Sequence, residues 1–117
     1  MKRDISDFLK DILAYSEKAQ EIAHSTGIQT LADRFSVEGL ALVRCMEVIG
    51  EATKHIPNEL REQYPEIPWK RVAGLRDIMA HQYWAADMAR LVETIENYFP
   101  QLQTVVQKIL TDLNTEK

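Results

Sequence analysis

Residues 87–113 read Asp87-Met-Ala-Arg-Leu-Val-Glu-Thr-Ile-Glu-Asn-Tyr-Phe-Pro-Gln-Leu-Gln-Thr-Val-Val-Gln-Lys-Ile-Leu-Thr-Asp-Leu113. Leu91, Val92, Ile95, Phe99, Leu102, Val105, Val106, Ile109 and Leu113 recur there at steps of three and four, which puts them on one face of a helix. Asp87 is a good N-cap for that helix. Pro100, which lacks an N–H inside the pattern, predicts a kink. The last residues, Thr111 to Lys117, read as a fraying end. The same rhythm extends back along the chain. Ile5, Phe8, Leu9, Ile12, Leu13, Ala19, Ile22 and Ala23 predict a first helix of about 20 residues. His24-Ser25-Thr26-Gly27 stops it, with Gly27 as its C-terminal cap and His24 suited to the dipole there. Thr30 reads as the next N-cap, with Asp33 in the first turn. From there Leu31, Phe35, Leu42, Met46, Ile49 and Ile56 carry a second helix to Pro57. Gly39 and Gly50 lie inside it, each unfavourable by up to ~1 kcal/mol relative to Ala, and point to close helix packing.

Residues 57–68 hold three of the four prolines and predict a short helical turn over Glu59 to Tyr64. Pro68 opens a third helix, whose apolar face is Trp69, Val72, Leu75, Ile78 and Met79. No strand pattern and no internal repeat appears. The expected fold is all-α, an up-and-down bundle of four to five helices forming one domain over residues 1–117. A chain of 117 residues buries about two thirds of the surface its unfolded form exposes, enough for a core without staples. Fourteen basic against 18 acidic residues give a net charge of −4, which argues against a general nucleic-acid coat protein. The single cysteine excludes a disulfide framework and a cysteine-based zinc site, and suits a reducing compartment. Cys45 lies on the apolar stripe with Ala41, Val48 and Ala52 and reads as a buried, inert thiol. Met46, Met79 and Met88 read as core filler. No run approaches ~18 apolar residues, and Met1-Lys2-Arg3 leads into Asp4 and Asp7 rather than an apolar segment, so a cytoplasmic protein with no membrane partner is expected.

Packing explains most of the chain. The stretch from Trp69 to Trp84 is different, because it sets Arg76, His81 and Tyr83 at the end of an otherwise apolar helix. On a regular helix, residues five apart point roughly 140° apart and are separated by about 7.5 Å of rise. For Arg76 and His81 to act on one substrate, the helix must end or unwind near Ala80, or one group must come from another subunit. Residues 54–84 hold five basic side chains (Lys54, Arg61, Lys70, Arg71, Arg76) and four acidic ones (Glu59, Glu62, Glu66, Asp77), a net +1 that favours an anion weakly. A histidine moves protons near neutral pH, and an arginine holds phosphate oxygens and stabilises charge in a phosphoryl transition state. Together they suit RNA cleavage in which the ribose 2′-hydroxyl attacks its own phosphate, a reaction that needs no metal. Such a reaction wants a base and an acid, and each chain offers one histidine here. A two-fold dimer that joins two copies of His81 and Arg76 supplies both. The structural alternative is a His81 that caps the helix and an Arg76 paired with a surface carboxylate.

Arg44, Glu47, Glu51, Lys54 and His55 form one polar line on the second helix. A metal site there would use Glu47, Glu51 and His55. Di-iron bundles, however, need Glu-x-x-His on two helices and further carboxylates from the others, and Glu51-x3-His55 has the wrong spacing. Opposite charges at these steps are ordinary surface stabilisers. The alternative is a supporting role, with Glu47 or Glu51 orienting Arg76 or His81 and Arg44 adding to a phosphate pocket. No glycine-rich phosphate loop is present, and no cofactor or metal is implied.

Arg76-x4-His81-x-Tyr83 resembles the Arg-x4-His-x-Tyr signature of HepT-like toxins in the HEPN superfamily. Arg44-x-x-Glu47-x-Ile49-Gly50-Glu51-Ala52 and Tyr64-Pro65-x-Ile67-Pro68-Trp69 match its surroundings, so the resemblance covers nearly the whole chain. It implies an all-helical bundle that dimerises, and a metal-independent ribonuclease toxin with Arg76 and His81 catalytic in a site built across the dimer. It also implies an antitoxin, a small MNT-type nucleotidyltransferase that neutralises such proteins by adding AMP to the signature tyrosine, here Tyr83. An AMP phosphate there would place charge and bulk where RNA phosphate must sit. The rival class is a non-catalytic helical binding module, or a helper subunit for a nucleotidyltransferase. A tyrosine that merely packs beside Trp84 is the alternative reading of Tyr83.

Overall fold

The first helix, α1, begins where two aspartates cap each other. Asp4 Oδ1 accepts from the Asp7 N–H at 3.1 Å and Asp7 Oδ2 accepts from the Asp4 N–H at 3.2 Å, a capping box with aspartate in the usual glutamate position. In the computed structural model, which describes residues 3–78 and 84–115, α1 spans Ile5–Ser25. It ends on Thr26 in extended conformation. Gly27, expected to cap the end of α1, has φ −67° and instead is the N-cap of a short helix α2, Ile28–Leu31.

The single second helix expected from Thr30 to Ile56 is two helices. The Phe35 N–H bonds to Asp33 Oδ1 at 3.0 Å, the Ser36 N–H bonds to the Asp33 carbonyl at 3.0 Å, and Ser36 Oγ accepts from the Gly39 N–H at 2.9 Å. These short polar side chains offer the backbone a better partner than a continued helix does. Ser36, not Thr30, is therefore the cap of α3, Val37–Lys54. Phe35, expected on the buried stripe, is 87% exposed. Gly39 answers to the expected close approach, since a Cβ there would stand 2.8 Å from both the Leu31 carbonyl oxygen and Ser36 Oγ.

After Pro57, α4 (Asn58–Glu62) forms within the expected turn. The third helix is divided at Gly74 into α5, Trp69–Ala73, and α6, Leu75–Ile78. The final helix, α7, spans Trp84–Thr115 and passes Pro100 without interruption. It starts before Asp87, which therefore lies inside the first turn and is no N-cap, and its last described residues are helical to Thr115 rather than frayed. Among the described residues there are thus three long helices and four short ones, all-α as expected.

The long helices run up and down. Phe8 of α1 stacks on His55 just past α3, and Gln103 of α7 donates to Gln20 of α1 at 2.8 Å, so α1 is antiparallel to both neighbours. Leu9, Ile12, Leu42, Met46, Ile49, Leu91, Ile95, Phe99 and Leu102 are fully buried between them. α5 and α6 pack on α3, and α2 closes against α3 and α7. One end of the bundle gathers the start of α1, the end of α3 and the end of α7. The other gathers α2 and the starts of α3 and α7.

Candidate active site

The elements bearing the motif are held from below. Arg61 donates through Nη2 to the Thr53 carbonyl at 2.6 Å and through Nε to the Ile56 carbonyl at 3.0 Å, joining the Ile56 N–H on the Thr53 oxygen at 3.1 Å and giving the Ile56 oxygen, just past α3, a donor. The Trp69 indole N–H, at the start of α5, donates to the carbonyls of Arg61 and Tyr64, both at 3.0 Å. Trp69, Val72 and Leu75 are buried. The chain from α4 to α5 ascends along α7, with Lys108 5.6 Å from the Tyr64 ring and the Arg71 guanidinium 5.4 Å from the Tyr98 ring. Arg76 lies in α6. Its side chain, and His81 and Tyr83 entirely, lie outside the described residues, as do Met79 and the side chains of Ile78 and Trp84.

Two features stand among the described residues that flank this segment in sequence. Arg71, Arg90, Glu93, Thr94, Asn97 and Tyr98 line a polar cleft of about 140 Å³ between α5 and α7, with the buried Thr94 hydroxyl tied to the Arg90 carbonyl at 3.0 Å. In the first turn of α7, Asp87 is 5% exposed. Its Oδ1 is 3.9 Å from Arg90 Nη1, and its Oδ2 has no hydrogen-bond partner among the described residues. A buried carboxylate beside a candidate site is a feature the sequence reading missed. The signal was available, because Asp87 sits four residues before Leu91 on the buried stripe.

The polar line on α3 is where the spacing put it. Arg44 and Glu47 are 3.9 Å apart, and His55 Nε2 stands 3.6 Å from Glu51 Oε1. All four side chains are about half exposed or more, so such pairs contribute about 0–1 kcal/mol. With Arg3, before α1, and Asp11 and Tyr15 of α1, Arg44, Glu47 and Glu51 line a groove of about 330 Å³. His55 lies flat on Phe8 at 4.1 Å between ring centroids, with the Arg3 guanidinium 4.9 Å from the same ring. Among the described residues no group of three His, Cys, Asp or Glu is placed to hold a metal ion. Cys45 is buried, and that burial pushes its thiol pKa up, against smaller opposing effects of Lys18 and a backbone hydrogen bond. It is therefore protonated at neutral pH and a poor nucleophile. No helix among the described residues is long and apolar enough to cross a membrane.

Residues 12–109 match a family model described as ribonuclease HepT-like. Two proteins of Methanocaldococcus jannaschii, named "Putative RNase MJ0125" and "Putative RNase MJ1216", are each 39% identical to the chain over 112 residues. These alignments cover 96% of this chain, and 96% and 92% of the relatives. A Thermococcus cleftensis protein named "Probable ribonuclease HepT" is 34% identical over 110 residues, 93% of this chain and 98% of its own length. No solved structure matches the chain significantly.

Proposed function

The chain belongs to the ribonuclease HepT-like family, and we propose that it is a cytoplasmic, metal-independent endoribonuclease toxin of the HEPN type, active as a homodimer. The observation that carries this reading is the intact Arg76-x4-His81-x-Tyr83 pattern inside a family match that spans it. Relatives named as ribonucleases along almost their whole length support it.

In this reading the ribose 2′-oxygen forms a bond to its own phosphorus as the bond from phosphorus to the 5′-oxygen breaks. One His81 takes the 2′-hydroxyl proton and the His81 of the partner subunit gives a proton to the departing 5′-oxygen, leaving a 2′,3′-cyclic phosphate and a 5′-hydroxyl. Arg76 stabilises the charge that builds on the non-bridging oxygens. Arg44, Glu47 and Glu51 support the site by orienting these groups or adding to a phosphate pocket. A partner MNT-type nucleotidyltransferase silences the toxin by adding AMP to Tyr83, where its phosphate repels RNA.

The test joins mass and activity. The protein is expressed with and without a nucleotidyltransferase of that type, its intact mass is read, and both forms are mixed with RNA in EDTA beside His81→Ala. Cleavage in EDTA by the unmodified form, lost in His81→Ala and in the AMP-bearing form, supports the reading. An unmodified protein that leaves varied RNA intact overturns it and leaves a binding module.

A further inference from the structure

Arg71 of α5 and Arg90 of α7 face one polar cleft of about 140 Å³, which Glu93, Thr94, Asn97 and Tyr98 of α7 complete. Both guanidiniums are open to a ligand. Arg71 is exposed, forms no ion pair among the described residues, and lies 5.4 Å from the centre of the Tyr98 ring. That cation–π contact steadies the group without using its N–H donors. The Arg90 side chain is 77% exposed, and Asp87 Oδ1 stands off from it at 3.9 Å. Thr94 is buried and donates to the Arg90 carbonyl at 3.0 Å, so it forms the floor. A volume of 140 Å³ holds about five waters at ~30 Å³ each, the bulk of a phosphate group and well below the ~300 Å³ of a small-molecule pocket. The groove along α3 is different, because Asp11, Glu47 and Glu51 outnumber Arg3 and Arg44 there. It suits the positioning of groups better than the capture of an anion.

Chain connectivity bounds the distance from this cleft to the motif. Arg71 precedes Arg76 by five residues, at most about 18 Å even if fully extended. Arg90 follows Trp84, the neighbour of Tyr83, by six residues of continuous α7, about 9 Å of rise. The cleft therefore stands within roughly five nucleotides of Arg76 along a stacked strand, at ~3.4 Å each.

We propose that this cleft is a backbone subsite for single-stranded RNA, taking a phosphate a few nucleotides from the bond that is cut. The inference rests on the ribonuclease reading above and adds where the strand is held. Arg71 and Arg90 each present a planar fork of donors that matches two phosphate oxygens, and Asn97 adds amide donors. Glu93 has no place in a site for a bare anion, since its carboxylate repels one. An ionised carboxylate is an acceptor only, however, and the ribose 2′-hydroxyl beside a bound phosphate is a donor that DNA lacks. Glu93 therefore weakens the binding of any phosphate and offsets that loss only for a strand that carries a 2′-hydroxyl. It turns a general anion site into one that prefers RNA.

The experiment is fluorescence anisotropy of a labelled single-stranded RNA, and of DNA of the same sequence, in EDTA. His81→Ala is the parent chain, so that the RNA stays whole, and circular dichroism is run on each variant. The parent is expected to bind RNA about tenfold tighter than DNA, the effect of one hydrogen bond to a charged acceptor. Adding Arg71→Ala or Arg90→Ala should weaken RNA binding about tenfold each, and Arg71→Lys, which keeps the charge but loses the fork, by less. Adding Glu93→Gln should tighten DNA binding and leave RNA binding no tighter, so that the preference shrinks. Lys70→Ala removes a neighbouring exposed charge outside the cleft and should change RNA binding by less than about twofold at physiological salt. Losses as large in Lys70→Ala as in the arginine variants would show a general charge effect and overturn the subsite, as would unchanged RNA binding in both arginine variants. An RNA preference that survives Glu93→Gln overturns the role of Glu93. Wild-type binding of DNA, which cleavage does not complicate, repeats the arginine comparison if His81→Ala fails to fold. A wild type that cleaves no RNA while these binding changes hold removes the ribonuclease reading and supports the subsite. Cleavage by the wild type with no binding change in the arginine variants overturns the subsite and leaves that reading standing.

Discussion

Removing the Arg61 side chain tests whether α4 holds the motif-bearing helices in place. Arg61 donates to two carbonyls at the end of α3, one at 2.6 Å and one at 3.0 Å, in a partly buried setting. Hydrogen bonds from a charged donor contribute about 1.5–3 kcal/mol each. The Thr53 carbonyl keeps the Ile56 N–H at 3.1 Å and water can reach the Ile56 carbonyl in its partly buried position, which argues for the lower end of that range. Arg61→Ala is therefore expected to destabilise the protein by about 3 kcal/mol, and Arg61→Lys, which can keep one of the two bonds, by about half as much. For a domain of this length that is a fall in Tm of about 10 °C for the alanine variant. The neighbouring Glu62→Ala, on an exposed position of the same short helix, should shift Tm by no more than about 2 °C. Urea unfolding followed by tryptophan fluorescence is the assay, with Trp69 reporting on the same joint because its indole N–H bonds to the Arg61 and Tyr64 carbonyls. A loss below about 0.5 kcal/mol for Arg61→Ala would refute the reasoning, since it would mean that water replaces the guanidinium without penalty.

Gly39→Ala opposes two effects. Helix propensity favours alanine by about 1 kcal/mol, but the new Cβ would lie 2.8 Å from a backbone oxygen and a serine oxygen, so the chain around Leu31 must shift and a net loss of about 1 kcal/mol in urea unfolding is expected. Cys45 should resist alkylation at pH 8 in the folded protein and react once unfolded. Its folded pKa is raised, so the unfolded chain loses its thiol proton first. Stability from this group is intact below the unfolded pKa and declines above about pH 8.5–9, a decline that Cys45→Ala should remove. Arg71→Ala and Arg90→Ala, on the polar cleft between α5 and α7, should raise KM for RNA with kcat little changed and lower the salt slope of binding by about one unit per lost phosphate contact. An unaltered salt slope in both would show that RNA does not cross this cleft.

The three long helices were legible because each commits its apolar residues to a single stripe, and a stripe of 18 to 32 residues leaves little room for another reading. The breaks were not. Asp33 and Ser36 are tolerated in a helix and also able to end one, and only the packing of Gly39 against the Leu31 carbonyl decides between these. Gly74 is similar: a lone glycine in an apolar pattern is compatible with a continuous helix or with the division into α5 and α6. At the candidate site, the residue types and their order were readable in the sequence, while the relative placement of Arg76 and His81 was not, because five residues of spacing leave them on different sides of a regular helix.

Asp87 shows how such a misreading bears on chemistry. As an N-cap its carboxylate would be solvated and bonded to backbone N–H groups, and nothing more would follow. One turn further into the helix, it is 5% exposed with Oδ2 unpartnered among the described residues. A buried carboxylate whose arginine partner stands off at 3.9 Å is costly to take out of water, an arrangement that stability alone does not favour. Two other departures from local pattern are the exposed Phe35, in the turn before α3, and the division at Gly74, two residues before Arg76. Local rules are most often broken where a site or an interface needs them broken. A periodic sequence that lapses at such positions therefore points to where substitution should be tested first, independently of any motif it carries.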